Sequence, residues 1–151
     1  MGELNRAEID LIVKTARDKG EKPNLSKLDL SHTNLFEADL SAVDLQEANL
    51  RQANMIKANL KQANLSKATL AGATLTKANL TEADLSGAHL FKASLYETNL
   101  SEANLAGADL DEANLSEANL TGVNLQGARY NRYTKWPLGF DPAKTGAVSV
   151  H

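Results

Sequence analysis

Residues 48–65 read ANLRQANMIKANLKQANL, a stretch in which alanine, asparagine and leucine or methionine return every five residues. The same period runs far beyond this stretch. Leucine occupies position 25 and every fifth position after it to Leu125, with Met55 as the one exception. A small residue, most often alanine, stands two places before nearly every one of these leucines, and asparagine or aspartate commonly stands between them. The repeated unit is therefore A-(N/D)-L-x-x, continuous from about residue 23 to residue 128.

A strict period of five fits neither regular secondary structure. On an α-helix, five residues advance by about 500°, so the leucines would spiral around every face. In an extended strand, side chains alternate between two faces, so successive leucines would point to opposite sides. The chain is therefore expected to turn after each pentad, with four pentads making one square coil of about 20 residues. Leucine and the small residue would point inward, and coils would stack about 4.8 Å apart.

This pattern resembles the pentapeptide-repeat family, whose units read A-(D/N)-L-x-x, over about residues 23–128. The resemblance implies an all-β solenoid, a right-handed quadrilateral parallel β-helix of about five 20-residue coils. Some members of that family, of the quinolone-resistance type, are acidic rods that resemble duplex DNA and bind type II topoisomerases. Other members, many of them cyanobacterial, act as protein–protein modules. The present chain has no projecting loops and is more similar to this plain cyanobacterial type.

The N-terminal residues 1–22 are predicted to form a helix that caps the first coil, because a solenoid must protect its open ends. Asn5 and Glu8 fit a capping box, and Gly20 is a suitable stop for a helix over residues 5–19. Its apolar stripe consists of Ile9, Ile12, Val13 and Ala16. A partner-binding helix is the alternative interpretation.

Four of the seven aromatic residues lie where the repeat ends: Tyr130, Tyr133, Trp136 and Phe140. We predict that residues 23–130 form the solenoid of a single domain. Residues 131–151 would then form an aromatic cap over the last coil, with a mobile tail from about Ala143. The alternative is that the aromatic residues form the contact of an end-to-end homodimer. The sequence leaves monomer and homodimer open.

The sequence contains no pattern that predicts catalysis, a cofactor or a metal. His32 and His89 would share a face but lie nearly three coils, or about 14 Å, apart, which is too far for a shared metal. There is no cysteine, glycine-rich phosphate loop or nucleophile–base arrangement. We therefore expect no catalytic, metal-binding or cofactor-binding residues, and a protein that is not an enzyme.

Charge forms bands along the chain. Residues 51–77 contain five basic and no acidic residues, whereas residues 82–117 contain eight acidic residues and one basic residue, Lys92. The acidic candidates for a contact patch are Asp109, Asp111, Glu112 and Glu117. Aspartate stands where the repeat usually has asparagine, which favours a structural role over acid–base chemistry. The banding indicates either a solubility feature or electrostatic selection of a partner.

The best candidate for a binding surface is an outward column that follows the leucines of one side: Phe36, Ile56, Thr76, Tyr96 and Ser116, here called the ladder. Beside it would run a charged rim: Glu37, Lys57, Lys77, Glu97 and Glu117. Contiguous exposed apolar surface is typical of contact sites. We therefore name Phe36, Ile56 and Tyr96 as the candidate partner-binding face, with Phe91 protruding from the neighbouring side. The alternative is that these β-forming residues stack to strengthen the sheet.

The net charge of −3 does not favour binding to nucleic acid or to an anionic membrane. No apolar run approaches 18 residues, and the N-terminus lacks the features of a secretory signal, so we expect a cytoplasmic protein without a membrane span. The resulting hypothesis is a non-catalytic protein–protein interaction or scaffold module whose partner is another protein. The alternative is a DNA-mimicking regulator of a type II topoisomerase.

Overall fold

The computed structural model describes residues 4–150. Helix α1 spans Arg6–Asp18, strand β1 spans Arg129–Tyr130, a short 3-10 helix spans Pro142–Lys144, and strand β2 spans Val148–Ser149. Strands β1 and β2 pair in parallel. Within these residues, no helix is long and apolar enough to cross a membrane.

Between α1 and β1, the chain is organised by single parallel bridges. Each bridge lies at the residue before the leucine and joins residues 20 positions apart, from Asn24–Asp44 to Asp109–Arg129. Backbone hydrogen bonds with offsets of 19 and 21 residues flank each bridge: the Leu50 amide donates to the Thr69 carbonyl at 2.7 Å, and the Thr69 amide donates to the Ala48 carbonyl at 3.0 Å. Since bridged partners are 20 positions apart and the repeat is five residues long, four pentads separate each residue from its partner. We call each such 20-residue span a coil.

The inward positions are the leucines and the small residues that precede them. Leu70 and Ala73 are completely buried, as are the residues at nearly all equivalent positions. Leu120 and Val123, at the C-terminal end of the repeats, are only partly buried. The core is therefore a stack of leucine and alanine columns along the coil axis, as the period of five predicts.

Each pentad ends in a tight turn with a left-handed residue. The second residue after every leucine from position 27 to position 127 has a positive φ, and sixteen of these residues are not glycine. The amide of the next small residue returns to the leucine carbonyl, as Ala73 does to Leu70 at 3.0 Å. A positive φ at this place is what a type II turn requires. The turn explains how the chain changes direction after five residues.

The asparagine or aspartate before the leucine stabilises the same turn through a side-chain hydrogen bond. The Oδ1 atom of Asn49, for example, accepts the backbone N–H of Arg51 at 3.1 Å, two residues further on. Their side chains also contact one another between coils, as where Asn49 Nδ2 donates to Asp29 Oδ1 at 3.2 Å. This local bond is a property of short amide and carboxylate side chains, which accounts for their place in the repeat.

Helix α1 begins with the predicted capping box. The Asn5 side chain accepts the Glu8 amide at 2.8 Å, and Glu8 Oε1 accepts the Asn5 amide at 3.1 Å. Ile9 and Val13 are buried against the core. The apolar stripe therefore faces the repeats, as its spacing predicts.

Two arginines of α1 bond to the carbonyl edge of the first coil. Arg6 Nη1 donates to the carbonyls of Asn34 at 3.4 Å and Phe36 at 3.0 Å. One coil later, the equivalent carbonyls of Asn54 and Ile56 accept backbone amides at 2.7 and 2.9 Å. Arg6 thus supplies donors where no earlier coil exists. Arg17 does the same for the Ser41 carbonyl at 2.9 Å.

The C-terminal segment differs from the sequence prediction. We expected a mobile tail without packing partners from about Ala143, and this expectation is wrong for residues 143–150. The Val148 amide donates to the Ala128 carbonyl and the Val150 amide to the Tyr130 carbonyl, both at 2.7 Å. The segment adds a parallel strand to the edge that the last repeats leave open, and pairing of this edge satisfies its backbone groups.

The aromatic residues near the end of the repeats form one cluster. The rings of Tyr130 and Trp136 meet edge to face at 5.5 Å, and those of Trp136 and Phe140 stack at 5.2 Å. All three pack against the core. Tyr133 instead remains exposed, with the Arg132 guanidinium 5.0 Å from its ring. Three of the four aromatic residues therefore pack against the core, and Tyr133 does not.

Candidate protein-binding surface

Backbone pairing sets the ladder residues one above another. The amide of the residue that follows each ladder residue donates to the carbonyl of the next ladder residue. Glu37 donates to Ile56 at 2.9 Å, Lys57 to Thr76 at 2.9 Å, Lys77 to Tyr96 at 3.0 Å and Glu97 to Ser116 at 3.1 Å. The ladder is therefore a single column on one side of the repeats, with one residue in each coil.

The ladder leaves apolar surface open to solvent. Phe36, at its N-terminal end, is 40% exposed, and Ile56 and Tyr96 are partly exposed. Thr76, which lies between these two, has its hydroxyl 3.3 Å from the hydroxyl of Ser94. In the column, Phe36 and Ile56 are therefore neighbours, Thr76 separates Ile56 from Tyr96, and Ser116 follows Tyr96.

Phe91 belongs to a different column from the ladder. Its carbonyl accepts the Gly72 amide at 2.9 Å, which places it on the neighbouring side of the coil. The ring is 40% exposed, and the ammonium group of Lys92 lies 5.3 Å from its centre. The structure therefore places Phe36, Ile56 and Tyr96 in one column and Phe91 on the adjacent side of the coil.

The rim runs directly beside the ladder at the left-handed turn positions. Its five residues have φ between 54° and 62° and are exposed. No ion pair within residues 4–150 includes a rim residue. The order of charge along the coil axis is negative at Glu37, positive at Lys57 and Lys77, and negative at Glu97 and Glu117. These charges are available to an external partner.

The proposed acidic patch is partly neutralised within the chain. Asp111 Oδ2 lies 3.4 Å from Arg129 Nη2, and Glu112 Oε2 lies 3.8 Å from Lys92 Nζ. The Asp111 side chain is only 17% exposed, and its Oδ1 has no hydrogen-bond partner within the described residues. Burial raises the pKa of Asp111 above its usual range; Asp109 and Glu112 act in the same direction, whereas Arg129 opposes them.

The residues of the predicted acidic patch lie on two sides of the coil. Within residues 4–150, no group of three or more histidine, aspartate and glutamate side chains is arranged to hold an ion. Glu117, the fourth residue of the predicted patch, lies on the rim, one side away from Asp109, Asp111 and Glu112. The patch is therefore divided between two sides of the coil.

Sequence reasoning missed the exposed apolar residue Leu138. Leu138 is fully exposed and lies three residues after Lys135, which pairs with Asn114. The available signal was Pro137-Leu138-Gly139, a turn-like sequence just beyond the repeat. Leu138 therefore adds an exposed apolar side chain beyond the last repeat.

A family model described as pentapeptide repeats matches the chain in eight copies, over residues 22–52, 33–72, 53–90, 70–105 and 98–129. No curated protein matches the chain in sequence. Among solved structures, the chain is similar to HetL, a pentapeptide repeat protein involved in heterocyst differentiation regulation from the cyanobacterium Nostoc sp. strain PCC 7120. The two are 28% identical with a TM-score of 0.55, and the match covers 83% of this chain and 73% of HetL.

Two further solved structures are also similar. The pentapeptide repeat protein alr5209 from Nostoc PCC 7120 is 29% identical with a TM-score of 0.44, over 99% of this chain and 100% of alr5209. QnrB1, a plasmid-mediated fluoroquinolone resistance protein, is 16% identical with a TM-score of 0.43, over 85% of this chain and 80% of QnrB1.

Proposed function

Because the chain belongs to the pentapeptide-repeat family, whose members are generally non-catalytic structural or interaction modules, we propose that it is a protein-binding module that uses the ladder as its contact surface. The observation that carries the proposal is the column of Phe36, Ile56 and Tyr96, partly exposed beside rim charges that form no ion pair within residues 4–150. Aromatic and large apolar side chains within a charged border are typical of the residues that dominate protein–protein binding.

The proposed architecture is the one known for the family, a right-handed quadrilateral β-helix. We infer about five coils, with α1 as the cap of the first. In such a rod the inward leucines and alanines hold the coils together, and the outward positions are free to vary. The ladder residues occupy outward positions at which the other columns carry mainly serine, threonine, glutamine, lysine and alanine. Large apolar side chains at these positions are more than the fold requires, which supports a role in binding.

The similar protein HetL is described as involved in regulation of heterocyst differentiation. A regulatory role through protein contact is the kind of function that we propose for this chain.

The alternative function, DNA-mimicking regulation of a type II topoisomerase, requires a long and continuous negative surface. Five cationic residues of this chain are exposed and form no ion pair within residues 4–150: Arg51, Lys57, Lys61, Lys67 and Lys77. They interrupt the negative surface in the middle of the repeats. The charge distribution therefore favours the ladder proposal.

Affinity capture from a lysate of the source organism tests the proposed function. We expect wild-type protein to retain a partner that the Phe36→Ser/Ile56→Ser/Tyr96→Ser variant loses by at least about tenfold, since central apolar contacts carry most binding energy. Mass spectrometry identifies and quantifies the bound proteins. The matched control is Gln46→Ser/Ala106→Ser, at the same repeat position on the opposite side. Equal capture by wild type and ladder variant would contradict the proposal.

A further inference from the structure

The rim has an order of charge that makes the ladder side complementary to itself. Successive rim residues lie one coil apart, or about 4.8 Å along the axis. The order is negative, positive, positive, negative and negative, from Glu37 to Glu117. We propose that the ladder side binds a second copy of this chain, face to face and antiparallel. This inference rests on the proposed function of the ladder as a contact surface.

Symmetry selects the antiparallel arrangement. Two identical chains that contact through the same surface are related by a two-fold axis. When this axis lies in the interface and perpendicular to the coil axis, each column faces its own copy, so ladder meets ladder and rim meets rim. A two-fold axis parallel to the coil axis would instead place the rim of one copy opposite the other edge of the ladder side in the second copy. That edge is uncharged in the repeats: Asn34, Asn54, Thr74, Ser94 and Asn114.

Charge then selects one register. With the two-fold axis between the coils of Lys77 and Glu97, Lys77 faces the partner's Glu97 and Lys57 faces the partner's Glu117. Symmetry doubles these contacts to four. If the axis moved half a coil towards the N-terminus, Lys77 would face the partner's Lys77. If it moved half a coil towards the C-terminus, Glu97 would face the partner's Glu97. Opposed like charges weaken association, so neighbouring registers are disfavoured.

The ladder is compatible with the same register. Ile56 faces the partner's Ser116, and Thr76 faces the partner's Tyr96, so each large side chain meets a smaller one. Such alternation lets two surfaces approach closely. Phe36 has no ladder residue opposite it: it faces the level one coil beyond the partner's Ser116, where Lys135 continues the column of Asn114.

The two kinds of contact have different roles in this dimer. Exposed ion pairs contribute little to affinity, so the apolar ladder provides most of the affinity and the rim sets orientation. One side of a narrow rod buries less than the roughly 800 Å² per partner of a standard stable interface. We therefore expect a reversible dimer with a dissociation constant on the order of micromolar.

Sedimentation velocity over micromolar to submillimolar concentrations tests the dimer with two rim variants and one control. In Lys77→Glu/Glu97→Lys, opposite charges still face each other in the proposed register, so dimerisation should match that of the wild type. In Lys57→Glu/Lys77→Glu, all five rim residues are negative, so like charges face each other in every register and the dimer should weaken by at least about tenfold. The control Lys61→Glu/Lys67→Glu changes the net charge by the same amount on other sides of the coil and should weaken the dimer clearly less. Both rim variants use residue types that the rim already carries at left-handed positions, so folding should be retained.

A wild-type protein that stays monomeric throughout, or equal weakening by Lys57→Glu/Lys77→Glu and by its control Lys61→Glu/Lys67→Glu, would overturn the antiparallel dimer. The capture experiment separates this failure from failure of the proposed function. If the chain is monomeric but the ladder variant still loses a different protein, the ladder is a binding surface for that protein. If the chain is monomeric and capture is unchanged, both proposals fail.

Discussion

Replacing Leu70 with alanine is expected to destabilise the protein by about 3 kcal/mol, within the range for leucine deletions in protein cores. Leu70 is completely buried, and so are Leu50 and Leu90, one coil away on either side. The backbone hydrogen bonds between coils hold these neighbours apart, so the structure cannot collapse to fill the cavity. Urea denaturation followed by circular dichroism measures the free energy of unfolding.

The matched control for this cavity is Leu70→Met. Met55 occupies the same repeat position and is also completely buried, so the core accepts methionine there. The loss should stay below about 1.5 kcal/mol, as for other substitutions that conserve volume. Equal losses for Leu70→Ala and Leu70→Met would mean that the leucines do not form one packed column.

Replacing Ala73 with leucine is expected to cost about 3 kcal/mol, at the upper end of the range for overpacked cores. Ala73 is completely buried between Ala53 and Ala93, which are the equivalent residues of adjacent coils and are also buried. At a coil spacing of about 4.8 Å, a larger side chain can be accommodated only if the coils separate or the wall bends outward. The same denaturation measurement gives the change.

Ala73→Val is the control for this overpacked variant. Val43 occupies the equivalent position in another column and is completely buried, so the coil tolerates two extra methyl groups at such a place. The valine variant should therefore lose clearly less stability than the leucine variant. If leucine were accepted as readily as valine, the small residue would not be a steric requirement of the coil.

The sequence was sufficient to predict which residues point inward and which share an outward column. In a rod with a constant repeat, position in the sequence maps directly onto position around and along the axis. The 20-residue offset of the bridges, the burial of Leu70 and Ala73, and the stacking of Phe36 above Ile56 all follow from that mapping. The capping box of Asn5 and Glu8 was predicted because it depends on local bonds alone.

The turns were predicted, but the left-handed backbone conformation of the second residue after each leucine was not. The second position after leucine carries glutamate, lysine, glutamine, histidine, alanine and glycine, a composition that indicates only solvent exposure. A usable signal was the lack of β-branched residues at this position from 27 to 127, together with its five glycines. β-branched residues are the least suited to a positive φ. The backbone angle therefore restricts a position that looks merely polar.

The two ends could not be predicted in full because their contacts lie outside the repeat. Lys135 pairs with Asn114 at an offset of 21 residues, and Val148 pairs with Arg129 at an offset of 19. Such shifts depend on how the irregular segment packs, which a period of five does not encode. The bonds of Arg6 and Arg17 to coil carbonyls are likewise tertiary contacts between a helix and a distant edge.

The central claim is that inward leucines and alanines hold the coils together while the ladder remains available to a partner. The free energy of unfolding of the Phe36→Ser/Ile56→Ser/Tyr96→Ser variant tests it most directly. We predict a total loss smaller than the loss caused by Leu70→Ala alone, because outward pairs on a sheet contribute about 0.2–1 kcal/mol each. A loss as large as that of Leu70→Ala, or larger, would show that the ladder supports the fold and would contradict the claim.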